Sequence, residues 1–413
     1  MIVSDAADRG SRFLAAALLL LGPLVVLAPR GLPVWVIATT VMALIATART
    51  PALAAALLAR PAAPVVVGLL ILAGVSIAWS PSPRALLTTV EIGYIALGAA
   101  AIGAWISTLS GRGATLCGRA LLAGLAVAAL LFGTEVLLDF PLNRWWNAVP
   151  AATDVMNSNV PKRTSAILAL LVWPAALILY RLRGRLAALL PLVLYATASL
   201  LLSSRSALLA MVLSLIAFLC AGGLNRRPAP VDGRFLRIAI GVLLAAAFAL
   251  AVPAAWLLAD VLRLDEAGWL FRSAQHRVEI WGHAAARIPD ALLAGHGIDA
   301  SRALTPDGAV SRFSPLFDSL LPLHPHNIFL QVWLELGGLG AALALAITLL
   351  VLNATRRLDG VAQPYALGLY VSGLAMASTA YGIWQAWWMA AHLTAGLTLA
   401  MAARIPQHAP TED

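Results

Sequence analysis

Long apolar runs, broken by short connections that carry most of the arginines, organise this chain. Runs at about 13–28, 32–48, 62–80, 85–107, 115–138, 163–180, 186–202, 206–222, 238–258, 326–352, 362–380 and 384–403 have roughly the length needed to cross hydrocarbon as self-satisfied helices. The pattern predicts an all-α, polytopic membrane bundle of about 12 transmembrane helices. Two boundaries are soft. Residues 49–61 are apolar apart from Arg49 and Arg60, and only Tyr381-Gly382 separates the last two runs. Two longer polar stretches interrupt the series, at about 139–162 and 260–323.

Composition narrows the class further. Hydrophobic residues make up 61% of the chain, charged residues 11%, and mean hydropathy is +0.87, which excludes an ordinary water-soluble domain. The net charge of +9 suggests nucleic acid, yet the basic residues are dispersed over short loops and form no single basic face, so no nucleic-acid partner is expected. Topology accounts for them better. With the N-terminus inside, one set of connections holds Arg49/Arg60, Arg112/Arg119, Arg181/Arg183/Arg185, Arg226/Arg227/Arg234/Arg237 and Arg356/Arg357, and the short opposite ones hold Arg30, Arg84 and Arg205. Both termini are then cytoplasmic and both long loops face outward. Cys117 and Cys220 read as packing residues, without a disulfide framework. The first run reads as an uncleaved anchor. Neither repeats nor a linker divide the chain, so residues 1–413 read as a single integral membrane domain whose large loop, 260–323, bears part of the site.

Within that loop Ala274, Val278, Trp281, Ala285 and Ile288 form an apolar stripe at helical spacing, with Ser273 positioned to cap it. Arg277 and Trp281, four apart, share a face, so the guanidinium is expected against the indole while pointing at an anion. Gly295 and Gly297 break the helix. The segment His324-Pro-His-Asn327 then opens the next apolar run, placing His324, His326 and Asn327 at a loop-to-helix junction.

These residues carry a resemblance. HPHNIFLQVWLELGGLG, preceded by RVEIWGHAAARIPDALLAGHG, resembles the signature region of the O-antigen ligase and polysaccharide polymerase superfamily of bacterial inner membranes. Looser likeness extends to SIAWSPSP, PKRTSAILALLVWP and SSRSALLA. The resemblance implies metal-independent transfer of a glycan from an undecaprenyl diphosphate donor to an acceptor sugar, without a cofactor, at the periplasmic face of the inner membrane. For a ligase the acceptor is lipid A-core. A polymerase would instead extend the lipid-linked glycan, and these motifs do not separate the two.

Physical chemistry asks for the same parts. A lipid-linked diphosphate needs cations at headgroup depth, and guanidinium grips phosphate oxygens through paired hydrogen bonds. Arg205 and Arg163 open helices from the outer side, and Arg277 adds a third cation from the loop. The competing reading is that such arginines snorkel to membrane lipids. His326 is the candidate base for the acceptor hydroxyl, with Asn327 beside it in the motif. Otherwise it is a helix-starting residue bonded to backbone. His324 and His326 lack a third ligand for a metal, and His324 is expected to shape the loop, with Trp281 in support. Glu335 lies nine residues beyond His326 and faces nearly opposite, so Glu335 and Glu91 are expected protonated or paired inside the bundle. Gly337, Gly338 and Gly340 suggest close helix packing. His276, His283 and His296 are left outside the site, and the tryptophans of the last run read as an aromatic belt. A third class, a membrane transporter, would need repeat symmetry or paired broken helices that the sequence does not display.

Overall fold

A computed structural model describes residues 2–48, 53–54, 62–148, 150, 159–201, 204–224, 231–304, 311–313 and 323–407. Among them are fourteen α-helices and no strand. The first six are α1 (Ile2–Leu27), α2 (Leu32–Thr47), α3 (Ala63–Ser76), α4 (Ala85–Ser107), α5 (Gly111–Leu137) and α6 (Pro141–Asn147). The middle of the chain adds α7 (Asn159–Arg183), α8 (Arg185–Leu201), α9 (Arg205–Cys220), α10 (Gly233–Trp256) and α11 (Arg272–Arg287). The series closes with α12 (Ile328–Ala354), α13 (Ala362–Ala377) and α14 (Ala386–Ala402).

Each of the twelve apolar runs contains one helix, while α6 and α11 occupy the two long polar stretches. Seven helices, α1, α2, α4, α5, α7, α10 and α12, are long and apolar enough to cross a membrane. The other five are shorter, and in α3 and α13 the ends of the runs go into turns. Residues after Ser76 turn back to hold the large loop, and residues 378–385 form a junction between α13 and α14.

Small residues set the closest helix crossing. A Cβ on Gly22 of α1 would lie 1.8 Å from the carbonyl oxygen of Gly124 in α5, so only hydrogen fits between these backbones. The larger core gathers around α7, with Trp173 fully buried in a notch left by Gly368 of α13. A second core joins α3, α10 and α12. At one end of the bundle Arg181 pairs with Asp359, Arg237 Nη1 donates to Gln363 at 3.3 Å, and Arg404 Nη2 donates to the Leu109 carbonyl at 2.9 Å. Several of the arginine-rich connections therefore share one end, and the large loop packs at the other.

The α12 helix is broken where the sequence suggested simple close packing. Gly337 has φ +62° and ψ −159°, and the chain segment 292–297 fills the gap. His296 and Gly297 donate their N–H groups to the Leu334 and Glu335 carbonyls at 2.9 and 2.8 Å. In the other direction Gly338 and Leu339 donate to the Leu292 and Leu293 carbonyls at 2.8 and 3.1 Å. Four backbone groups that the break would orphan are thus satisfied by the loop, as irregular backbone at membrane depth requires.

Candidate functional site

The turn His324–Asn327 is held from several directions. Asn327 caps α12, its Oδ1 accepting from the N–H groups of Phe329 at 3.0 Å and Leu330 at 3.3 Å. The Pro325 carbonyl accepts from the Trp281 indole at 3.0 Å, which ties the turn to α11. His324 is buried, and its ring packs where a Cβ on Gly382 would come within 2.7 Å of it. Its Nδ1 accepts from the His326 N–H at 3.2 Å, and the two rings meet at 65° with centroids 4.3 Å apart. His326 adopts φ +56°, a left-handed conformation that costs a non-glycine residue roughly 1–2 kcal/mol.

His326 Nδ1 lies 2.5 Å from the Ala380 carbonyl. A carbonyl only accepts, so Nδ1 carries the proton and the neutral ring keeps its lone pair on Nε2. Burial pushes the imidazole down to about 4, with the Ala380 hydrogen bond opposing and the charges of Arg277 and His276 adding to the effect. His326 is therefore neutral at pH 7, with a proton-accepting nitrogen.

Two of the cations, Arg163 and Arg277, lie within electrostatic range of one phenol. Burial raises Tyr381 above its ordinary range, and the charges of Arg163 and Arg277 act against that rise. Arg277 is itself shifted down by burial. Tyr381 also packs edge-to-face against Trp387 and at a tilt against Trp388, at centroid distances of 4.7 and 5.4 Å. Arg163, Tyr381, Arg277 and His326 thus form one electrostatic neighbourhood drawn from α7, the α13–α14 junction, α11 and the start of α12. Among the described residues no carboxylate pairs with Arg163 or Arg277. Arg205 begins α9, and its guanidinium lies 3.6 Å above the Phe271 ring at the start of α11.

Three expectations need correction. Trp281 turns its indole to Pro325, and the guanidinium–ring contacts among the described residues are Arg205 over Phe271 and Arg312 over Phe313, so Arg277 is not stacked on Trp281. Ser273 does not cap α11, because the helix starts at Arg272 with Phe271 before it and no side-chain cap. Arg163 is the fifth residue of α7, which begins at Asn159, and so stands a turn inside the helix.

Glu335 is the hub beneath the site. It is fully buried and accepts from Asp299 N at 2.7 Å, Ser301 Oγ at 2.5 Å, Gln331 Nε2 at 3.1 Å and Trp384 Nε1 at 2.6 Å. Glu91 is ion-paired with Arg84 at 3.6 Å. The stretch SIAWSPSP grips the same loop: Trp79 Nε1 donates to Gly295 O at 3.1 Å, Ser80 Oγ to Ile298 O at 2.7 Å, and Ser82 Oγ to Asp299 at 2.9 Å. Gly295 and Gly297, at φ +68° and +99°, leave no room for a Cβ against Glu335 and Ser80. Sequence reasoning passed over Tyr381. Tyr381 stood only as a break between two apolar runs, and its place between two arginines arises from tertiary packing.

Residues 190–345 match the family model described as O-Antigen ligase, a segment that includes Arg205, Arg277, Trp281, His324, His326 and Asn327 but not Arg163. A protein of Rickettsia prowazekii, provisionally named a polysaccharide ligase, is 36% identical over 126 residues, 28% of this chain and 29% of the relative. Similarly named proteins of Rickettsia typhi and Rickettsia bellii are 35% and 32% identical, covering 28% and 29% of this chain. The chain thus matches the R. prowazekii relative over under a third of that protein's length.

Proposed function

We propose that this membrane protein transfers a glycan from undecaprenyl diphosphate to an acceptor sugar, as an O-antigen ligase whose acceptor is lipid A-core. Ligase-type chemistry is supported by the family match over 190–345 and by the polysaccharide ligase names of the relatives, which favour ligation over polymerisation. The single observation that carries the site is the His326 Nδ1 contact with the Ala380 carbonyl, which leaves Nε2 as a proton acceptor within electrostatic range of Arg277.

In this mechanism Arg277, Arg163 and Arg205 hold the donor diphosphate by charge-assisted hydrogen bonds. His326 Nε2 takes the proton of the acceptor hydroxyl as its oxygen attacks the anomeric carbon. The new glycosidic C–O bond forms while the bond from that carbon to the phosphate oxygen breaks, with inversion. The electron pair leaves on the diphosphate, whose charge the arginines neutralise. No metal is required, and the reaction takes place at the periplasmic face of the inner membrane.

The test is reconstitution of the purified protein with an undecaprenyl-diphosphate-linked glycan and lipid A-core. His326→Ala should lower transfer by about 10²–10⁴-fold while the protein still accumulates in membranes. An active His326→Ala protein removes the mechanism. Products that lengthen on the lipid carrier, without reaching lipid A-core, would assign a polymerase instead.

A further inference from the structure

A groove of about 680 Å³ runs along the membrane-facing side of α1 and α2, lined by apolar side chains that include Leu20, Leu24, Leu27, Trp35 and Ala38. Its outer wall is the short helix α6, whose Trp145 and Trp146 are 77% and 64% exposed. This wall is anchored. The buried Glu135 carboxylate accepts from Leu142 N at 2.8 Å, Asn143 N at 2.9 Å and Asn143 Nδ2 at 2.5 Å, and Arg144 bridges Asp139 and the Pro150 carbonyl. A buried carboxylate spent on holding a seven-residue helix keeps its two indoles over the groove.

One end of the groove leads to the site. Ala28 and Gly31 line it and flank Arg30, and the Thr164 hydroxyl donates to the Val25 carbonyl at 3.0 Å, joining the start of α7 to the end of α1. Arg30 lies within electrostatic range of Arg163, and Arg163 within range of Tyr381. Among the described residues no carboxylate pairs with Arg30. Two guanidinium groups within electrostatic range of each other, at the end of the apolar channel that Ala28 and Gly31 line, complement a lipid with two linked phosphates better than a phospholipid with one. A second groove of about 300 Å³, between α10 and the start of α12, is lined by residues such as Leu250, Trp281 and Asn327 and by no cation.

We infer that the α1–α2–α6 groove holds the polyisoprenoid chain of the diphosphate lipid, with Arg30 and Arg163 receiving its diphosphate. The inference rests on the glycosyl-transfer reading and adds to it a tail site and a fourth arginine.

Binding of undecaprenyl diphosphate and of geranyl diphosphate to the full-length protein in lipid nanodiscs tests it, using wild type, Ala38→Trp, Val34→Trp and Arg30→Gln. Ala38 and Val34 are exposed on α2, so an indole there fills the groove without entering the core. Wild type should bind the long lipid at least about ten-fold more tightly than the short one, and either tryptophan variant should lose that preference while keeping its affinity for geranyl diphosphate. Arg30→Gln should weaken both lipids by about ten-fold. A full chain-length preference in both tryptophan variants overturns the groove assignment and leaves the transfer reading intact; the groove then holds ambient phospholipid. Wild type that binds neither lipid overturns both.

Discussion

At the scale of single residues, the chemistry turns on which nitrogen of His326 carries the proton. The Ala380 carbonyl decides this, and the left-handed backbone at His326 is the strain accepted to make that contact. The depressed imidazole also has a sign that can be measured. A base works in its unprotonated form, so activity is full above its pKa and lost as pH falls through it. In the unliganded protein that pKa is about 4, so kcat/KM should stay flat from neutral pH down to about 5 and fall below it. A bound diphosphate offsets the Arg277 charge, so the acid limb of kcat should lie at higher pH than that of kcat/KM. Profiles from about pH 4 to 8 check this, and limbs in the reverse order would contradict an anion beside Arg277.

Among elements, α12 shows how much of the site was legible beforehand. The apolar run, its start at the His-Pro-His-Asn turn and the amphipathic α11 follow from period and turn chemistry and are present, but α11 ends at Arg287, eight residues before Gly295, and the glycines instead turn the chain in the left-handed region. The break at Gly337 was not legible. Glycines in a membrane helix usually permit close packing, and only a folded loop with four matching backbone groups turns one of them into an interruption. Tyr381 and the Ala380 carbonyl were hidden for the same reason, since contacts between the α13–α14 junction and His326 span 54 residues of chain. Gly337→Ala should be costly. Its Cβ would lie 2.5 Å from the Leu293 carbonyl carbon, and positive φ adds about 1–2 kcal/mol. The variant should lower the thermal midpoint of the detergent-purified protein by several degrees and reduce transfer, because Gly295 and Glu335 move together; an unchanged midpoint would argue that the break is unimportant.

For the whole molecule, the twelve runs were readable because apolar length is a local property, whereas the seven helices of full spanning length reflect where turns fall. The arginine asymmetry sets the proposed orientation. In a background lacking Cys117 and Cys220, Asp290→Cys should react with a membrane-impermeant maleimide on intact spheroplasts, and Arg357→Cys only after lysis. Both positions are exposed in the fold. The opposite labelling would invert the topology and place the histidine turn in the cytosol.

The four backbone bonds between segment 292–297 and the interrupted α12 bear on how the chain is made. Until that segment docks, the second half of this helix would enter hydrocarbon with bare carbonyl and amide groups, at several kcal/mol each. Translation delivers the segment first, some forty residues ahead, so its partner is already waiting when α12 emerges. Biogenesis therefore depends on order: swapping or delaying these two pieces would strand an unpaired helix in lipid before any active site exists.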